Sequence, residues 1–376
     1  MRTTEERQRN PILARLHIDG PLLLALLALS AVSLVVIYSA GGQNQDLVIR
    51  QATRIGFSFA VMFAIAQIPP STFKRVSIPV YVIGVVMLIL VLLIGEVGKG
   101  AQRWLNIGVT RIQPSEILKL AVPMVVAWYC ARTRIPLRFY HVFAALLLLL
   151  IPTALIAMQP DLGTAILVAC SGIFVVFLAG VSWRLISVGV IAGAASIPLL
   201  WFFFLREYQR QRILTFLNPE SDPLGTGYHI IQSKIAIGSG GVEGKGWLQG
   251  TQSQLEFLPE RHTDFIFSVF SEEFGLIGAI LLFALYGFVI FRGLLIAIQA
   301  QNLYNKLLAG SITLTVFVYA LVNIGMVSGL LPVVGVPLPI ISYGGTSMVT
   351  IMAGFGILMS IATHRRLVIS QGNRGL

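Results

Sequence analysis

Charge is scarce in this chain: Asp, Glu, Lys and Arg make up 11% of its 376 residues, against roughly 25% in an average soluble domain. Together with a hydrophobic content of 56%, that deficit excludes a soluble globular protein. Cysteine is nearly missing. Cys130 and Cys170 both fall inside apolar runs, without metal or redox spacing, and read as small core residues. The five histidines (His17, His141, His229, His262 and His364) are dispersed and form no HExxH pair, which argues against a protein zinc site. Glu260, His262 and Asp264 alternate as an extended approach to a span would, rather than as a tetrahedral ligand set. The glycine-rich stretch from Gly238 to Gly250 lacks the spacing of a phosphate-binding loop. It reads as a turn series, with close approach of a substrate to bare backbone as the functional alternative.

What the chain does have is long apolar runs. They are about 20 residues each, the length a helix needs to cross roughly 30 Å of hydrocarbon at about 1.5 Å per residue. The runs show no strand-like alternation, so the predicted class is all-α: a polytopic membrane protein. About ten spans are predicted, at 21–40, 51–68, 78–95, 115–131, 140–158, 162–181, 185–205, 265–291, 307–331 and 342–363. The first is too long for a usual signal core and reads as an uncleaved span. The whole chain, 1–376, forms one membrane domain with one large loop, 206–264.

Basic residues set the orientation. With an even number of spans both termini share one side, which receives 15 of the 27 Lys and Arg but only Glu5, Glu6 and Asp19 of the 16 acids. That side is cytoplasmic. The net charge of +11 is therefore a topology signal and no reason to expect nucleic acid. Loop 206–264 lies outside; at about 60 residues it is long enough to carry function. It opens on a charged patch (Arg206, Glu207, Arg210, Arg212), and its IIQSKIAIG run suits a short interfacial helix.

Polar residues at or near membrane depth are costly and mark candidate sites. In residues 99–122, Pro114 suits the first turn of the fourth span, Glu116 falls near the positive helix end, and Lys119 lies on the same face. A structural Glu116–Lys119 pair competes there with a cation held for an anionic lipid group, with Arg103 and Arg111 nearby. Asp161, in MQPDLGTA, is either a helix cap or a site residue. The stretch 332–345, with Pro332, Gly335, Pro337, Pro339, Gly344 and Gly345, is irregular backbone that must line a cavity or be buried in protein. Asp264 stands at the mouth of the eighth span, either as its cap or, where partial burial favours proton uptake near neutral pH, as a base.

The segments GAQRWLNIG, QPSEILKLAVP, QPDLGTA, YQRQRI, NPESDPLGTGYHIIQSKIAIGSGG, GKGWLQGTQSQLEFLPERHTDFIFSV, NIGMVSGLLPVVGVPLPIISYGG and THRR occur in order over nearly the whole chain. Together they resemble the SEDS family of shape, elongation, division and sporulation proteins. The rod-shape branch is closest and the division branch is its nearest rival. The resemblance implies a peptidoglycan glycosyltransferase of the bacterial cytoplasmic (inner) membrane, joining lipid II into glycan strands on the outer face for cell elongation. It places the family's essential aspartate on Asp264, its membrane-embedded acid and lysine on Glu116 and Lys119, and its QPDLG aspartate on Asp161. Arg103, Trp104 and Arg111 match the pattern before the fourth span. It also implies a partner, a class B penicillin-binding protein of the penicillin-binding protein 2 type, within the elongation complex, with lipid II, nascent glycan and membrane lipid as the other contacts.

The chemistry agrees with that expectation. An α-linked diphosphate converted to a β linkage needs a single inverting displacement, and a diphosphate leaves without a proton once its charge is neutralised, so one base suffices. Asp264 is the expected base. Lys119, Arg103, Arg111 or the Arg210/Arg212 patch would hold the diphosphate, with no tightly bound cofactor beyond an optional Mg²⁺ or Mn²⁺ on the substrate. No Ser-x-x-Lys is placed for crosslinking, which falls to the partner. A lipid II flippase is the competing class; a mere scaffold would tolerate Asp264→Ala.

Overall fold

Each run predicted to span folds into a helix, since a backbone in lipid has no water to satisfy its N–H and C=O groups. The computed structural model describes residues 16–98, 101–106, 108, 111–205, 207–222, 225–254 and 260–364. Arg206 and the terminal arginines used above for orientation lie outside the described residues. The ten spans are α1 (Gly20–Ala40), α2 (Gln45–Ala66), α3 (Pro70–Ile94), α4 (Pro114–Cys130), α5 (Phe139–Met158), α6 (Leu162–Leu178), α7 (Trp183–Leu199), α11 (Ile266–Ile298), α12 (Leu303–Val327) and α13 (Thr346–Thr363). Eight are long and apolar enough to cross a membrane by length and composition alone, α7 by way of the π turn Leu200–Phe204 that continues it. The other two, α4 and α6, have 17 residues each, roughly 26 Å of helix, close to the hydrocarbon thickness.

The middle of the bundle is built by α4, α6, α12 and α13. These contribute fully buried Leu118, Val122, Val168, Leu307, Leu308 and Leu358 to one continuous core. In contrast, α7 buries none of its residues and turns Val188, Val190 and Ile191 outward, as a helix facing lipid does. At the terminal end of the bundle, Asp19 accepts from Leu22 N at 3.2 Å and pairs with Arg292 of α11 at 2.7 Å. One acid thus caps α1 and fastens it to α11.

The end opposite the termini carries structure that hydropathy does not predict. A three-stranded antiparallel sheet, β1 (Glu96–Gly98), β2 (Ala101–Asn106) and β3 (Arg111–Ile112), stands between α3 and α4 and sets Trp104 opposite Glu96. The large loop folds as α8 (Glu207–Leu217), a 3-10 turn, α9 (Thr226–Gly240) and the short α10 (Thr251–Gln254). Helix α9 is the predicted interfacial helix, but it also packs inward. Its buried Ser233 reaches Ser268 of α11 at 2.8 Å and the Val327 carbonyl of α12 at 2.5 Å.

The glycine-rich stretch has a specific task. Helix α11 is broken at Gly275, whose φ is 63° and ψ −160°. The backbone groups freed by the break are taken up by this stretch: Lys245 N and Gly246 N donate to the Glu272 and Glu273 carbonyls at 3.0 Å, and Leu276 N and Ile277 N donate to Gly241 and Val242 at 3.0 and 3.1 Å. A Cβ on Gly244 would collide with the Glu273 carbonyl. What approaches the bare backbone is therefore the chain's own helix, and the pairing satisfies irregular backbone inside a span.

Candidate active site

Asp264 lies one residue before the N-cap of α11. The cap is Phe265, whose side chain makes no cap bond, so Asp264 precedes the cap position rather than occupying it. Nor is its approach extended. Thr263 N and Phe265 N both donate to the Glu260 carbonyl, closing a turn over 260–265. That turn is held by the irregular segment between α12 and α13: Tyr343 N donates to the His262 carbonyl at 2.8 Å and Ser342 Oγ to the Thr263 carbonyl at 2.7 Å. From α12, Asn323 Nδ2 donates to both the Asp264 carbonyl (2.8 Å) and the Val336 carbonyl (2.7 Å). The half-buried Asp264 is thereby fixed through its backbone, with one carboxylate oxygen beside Gly335.

Segment 328–345 is the hub of this end. Val336, Leu338, Ile340 and Ile341 are buried, as irregular backbone at that depth requires. Leu331, Pro332, Val334 and Val336 line a cavity of about 180 Å³ shared with Gly163 and Leu167 of α6. Gly345 borders a second groove, of about 750 Å³, running between α2 (Thr53, Arg54, Phe57), β3 and the start of α4 (Arg111, Ile112, Gln113, Glu116, Ile117), with Val349 and Thr350 of α13 behind it.

Glu116 and Lys119 form the pair that their spacing allows: Nζ lies 2.6 Å from Oε1, both side chains are buried, and the ammonium sits 5.4 Å from the centre of the Tyr319 ring. Tyr319 and Asn323 are successive turns of one face of α12, about 6 Å apart along its axis. The pair and the Asp264 turn thus lean on the same helix, one turn apart. Asp161 takes the capping role, accepting from Thr164 N at 3.2 Å, and its other oxygen meets Arg103 Nε at 3.5 Å and Gln113 Nε2 at 3.4 Å.

Most of the predicted cations are already engaged. Arg103 also donates to the Pro160 carbonyl at 2.8 Å, and the exposed Arg111 pairs with Glu96 at 3.2 Å. Arg210 turns back on its own segment, donating to the Trp201 and Phe202 carbonyls at 2.9 and 3.0 Å. Arg212 lies half-buried on the same helix, α8, and Trp104 half-buried in β2. Sequence reasoning missed Arg54, whose guanidinium stacks 4.1 Å from the centre of the Tyr343 ring. It also missed the buried Glu272 and Glu273, which meet Lys245 (2.7 Å) and Ser39 respectively. A charge inside a predicted apolar span was the available signal in each case. Among the described residues no group of three His, Cys, Asp or Glu could hold a metal ion.

The sequence pattern of the FtsW/RodA/SpoVE family, described as cell cycle proteins, matches residues 16–367. The chain belongs to this family. Peptidoglycan glycosyltransferase MrdB of Escherichia coli (strain K12) is 54% identical over 365 residues, covering 97% of this chain and 99% of that protein. Peptidoglycan glycosyltransferase RodA of Treponema pallidum (strain Nichols) is 32% identical, with 91% and 97% covered. Among solved structures, a chain of a peptidoglycan synthase complex described as coordinating polymerization and crosslinking superposes with a TM-score of 0.80 at 32% identity, over 92% of this chain and 97% of that one. The rod shape determining protein RodA of Thermus thermophilus does so with a TM-score of 0.69 at 28% identity, over 92% and 96%. The SEDS membership expected from the motifs therefore holds from α1 to the end of α13.

Proposed function

We infer that this chain is a peptidoglycan glycosyltransferase, the activity by which its curated relatives are named, and that Asp264 is its base. The observation that carries the second part is the clamping of the 262–264 backbone by Asn323, Ser342 and Tyr343, which sets Asp264 at the mouth of α11 with a carboxylate oxygen beside Gly335. A base held through its main chain keeps its position while its side chain exchanges a proton.

In this reading the acceptor's sugar hydroxyl oxygen attacks the anomeric carbon of the donor from the face opposite the diphosphate. The new C–O bond forms as the bond to the diphosphate breaks, Asp264 receives the hydroxyl proton, and polyprenyl diphosphate leaves. The α linkage becomes β in one displacement. Glu116 and Lys119 act as a pre-formed ion pair whose acid borders the 750 Å³ groove. Mg²⁺ or Mn²⁺ enters only as a companion of the diphosphate. The site faces the outer side of the cytoplasmic membrane, where a polyprenyl tail stays in lipid while the sugars reach water. A class B penicillin-binding protein supplies the crosslinking.

The test uses the chain purified with such a partner whose transpeptidase is blocked, labelled lipid II and Mg²⁺ or Mn²⁺, read on a glycan gel. Wild type should give a polymer ladder, and Asp264→Asn none while still folded and partner-bound. Equal ladders would remove Asp264 as the base. No polymer from wild type, with lipid II moved across liposomes, would replace the enzyme by a flippase.

A further inference from the structure

We propose that Arg54 of α2 is the residue that holds the diphosphate of the polyprenyl substrate, at the polar end of a groove that takes the tail. The inference rests on the glycosyltransferase reading above and names the cation that reading leaves open.

Elimination supplies the first argument. Arg103 is held by Asp161 and the Pro160 carbonyl, Arg111 by Glu96, Lys119 by Glu116, and Arg210 by two carbonyls of its own segment. Arg54 differs. Among the described residues it has no carboxylate partner, and its one contact of note is the Tyr343 ring at 4.1 Å. It is half-buried, nine residues into α2 from Gln45, or about 14 Å along the helix. A guanidinium at that depth carries a desolvation cost that an anion would offset.

Geometry supplies the second. Stacking on Tyr343 uses the face of the guanidinium and leaves its in-plane N–H donors free, the arrangement that suits bidentate binding of phosphate oxygens. Tyr343 N is bonded to the His262 carbonyl, and the Tyr343 and His262 rings pack edge to face at 5.6 Å. Arg54 is therefore tied to the turn that carries Asp264, two residues beyond His262. Shape supplies the third. Below Arg54 the 750 Å³ groove is walled by Phe57, Ile117 and Val349, an apolar channel between α2 and α4 that matches an isoprenoid chain.

The full chain in phosphatidylcholine nanodiscs, titrated with farnesyl diphosphate as probe, tests the assignment independently of turnover. Arg54→Ala should weaken binding by about tenfold to a hundredfold, the range for truncating one charge-assisted contact, with Arg54→Lys recovering part of the loss. Arg50→Ala, an exposed cation one turn away, should stay within about twofold. Tyr343→Phe keeps the stacking ring and should bind as wild type, while Asp264→Asn should bind the probe yet fail to polymerise. An Arg54→Ala variant that melts like wild type and binds the probe equally well would overturn the proposal, as would an equal loss in Arg50→Ala. Displacement of the probe by phosphatidylglycerol at matched concentration would reassign Arg54 to a bulk-lipid headgroup. Probe binding through Arg54 in a wild-type protein that makes no polymer would instead sink the transferase reading and leave the phosphate site standing.

Discussion

Two aspartates stand near the same irregular segment, 328–345, and are held in different ways. Asp161 sits at the start of α6, beside residues that meet Val334 and Val336, and its carboxylate is spent on structure: a cap bond to Thr164, an ion pair to Arg103 and a bond from Gln113. Asp264 is held by its main chain, with an oxygen beside Gly335. A carboxylate that closes a network of cap and ion pair ties the start of its helix to its neighbours. An aspartate anchored at its backbone carbonyl has its position set through the main chain, as the proposed base requires. On the proposed function, the contrast separates a residue that builds the site from one that works in it.

The largest test of the contrast is activity. Asp264→Asn should lower polymerisation by about a hundredfold or more, as expected for loss of a general base. Asp161→Asn preserves a capping side chain and should retain most activity on the same gel; equal inactivity of the two would erase the distinction. The next effect concerns the second buried charge at this end. Lys119→Met alone leaves Glu116 buried without its cation and should cost about 3–5 kcal/mol in thermal or denaturant unfolding, whereas Glu116→Gln with Lys119→Met should recover much of it. Asp161→Ala removes the cap of α6 and should cost about 1 kcal/mol by the same measurement.

The smallest effect is a pH dependence confined to the Asp264 side. The His229 ring lies 5.9 Å from that of Phe265, the residue after Asp264. Burial holds the His229 imidazole below its ordinary value of 6.5, with Asp222 and Glu260 pulling the other way. Below that value the unfolded chain binds the proton more readily than the folded one, so stability should fall as pH drops below 6.5. His229→Gln should flatten the melting temperature between about pH 8 and pH 5 relative to wild type.

Much of this was legible in the amino-acid order. The ten spans could be read from run length, with α3 beginning at Pro70 rather than 78 and α13 at Thr346 rather than 342. Both shifts lie where polar or glycine-rich residues join an apolar helix and hydropathy loses its edge. The Glu116–Lys119 pair followed from spacing on one helix face. Arg103, Arg111 and Arg210 read as candidate diphosphate ligands in the sequence because a charge near an outer loop shows no partner in one dimension. Asp161 lies 58 residues from Arg103, and the Arg111 to Glu96 contact depends on a small sheet that hydropathy does not show. Arg54 was passed over for the same reason in reverse, since nothing local reveals that Tyr343, far along the chain, meets its face.

The sequence by itself determined that the chain threads a membrane as a helical bundle, because lipid offers the backbone no hydrogen bonds and apolar runs of span length have no other stable home. Only the tertiary structure decided which charges are consumed in holding that bundle together and which face a groove. Ion pairs and cation–π contacts act over a few ångströms, and those distances are set by packing between helices that are remote in sequence.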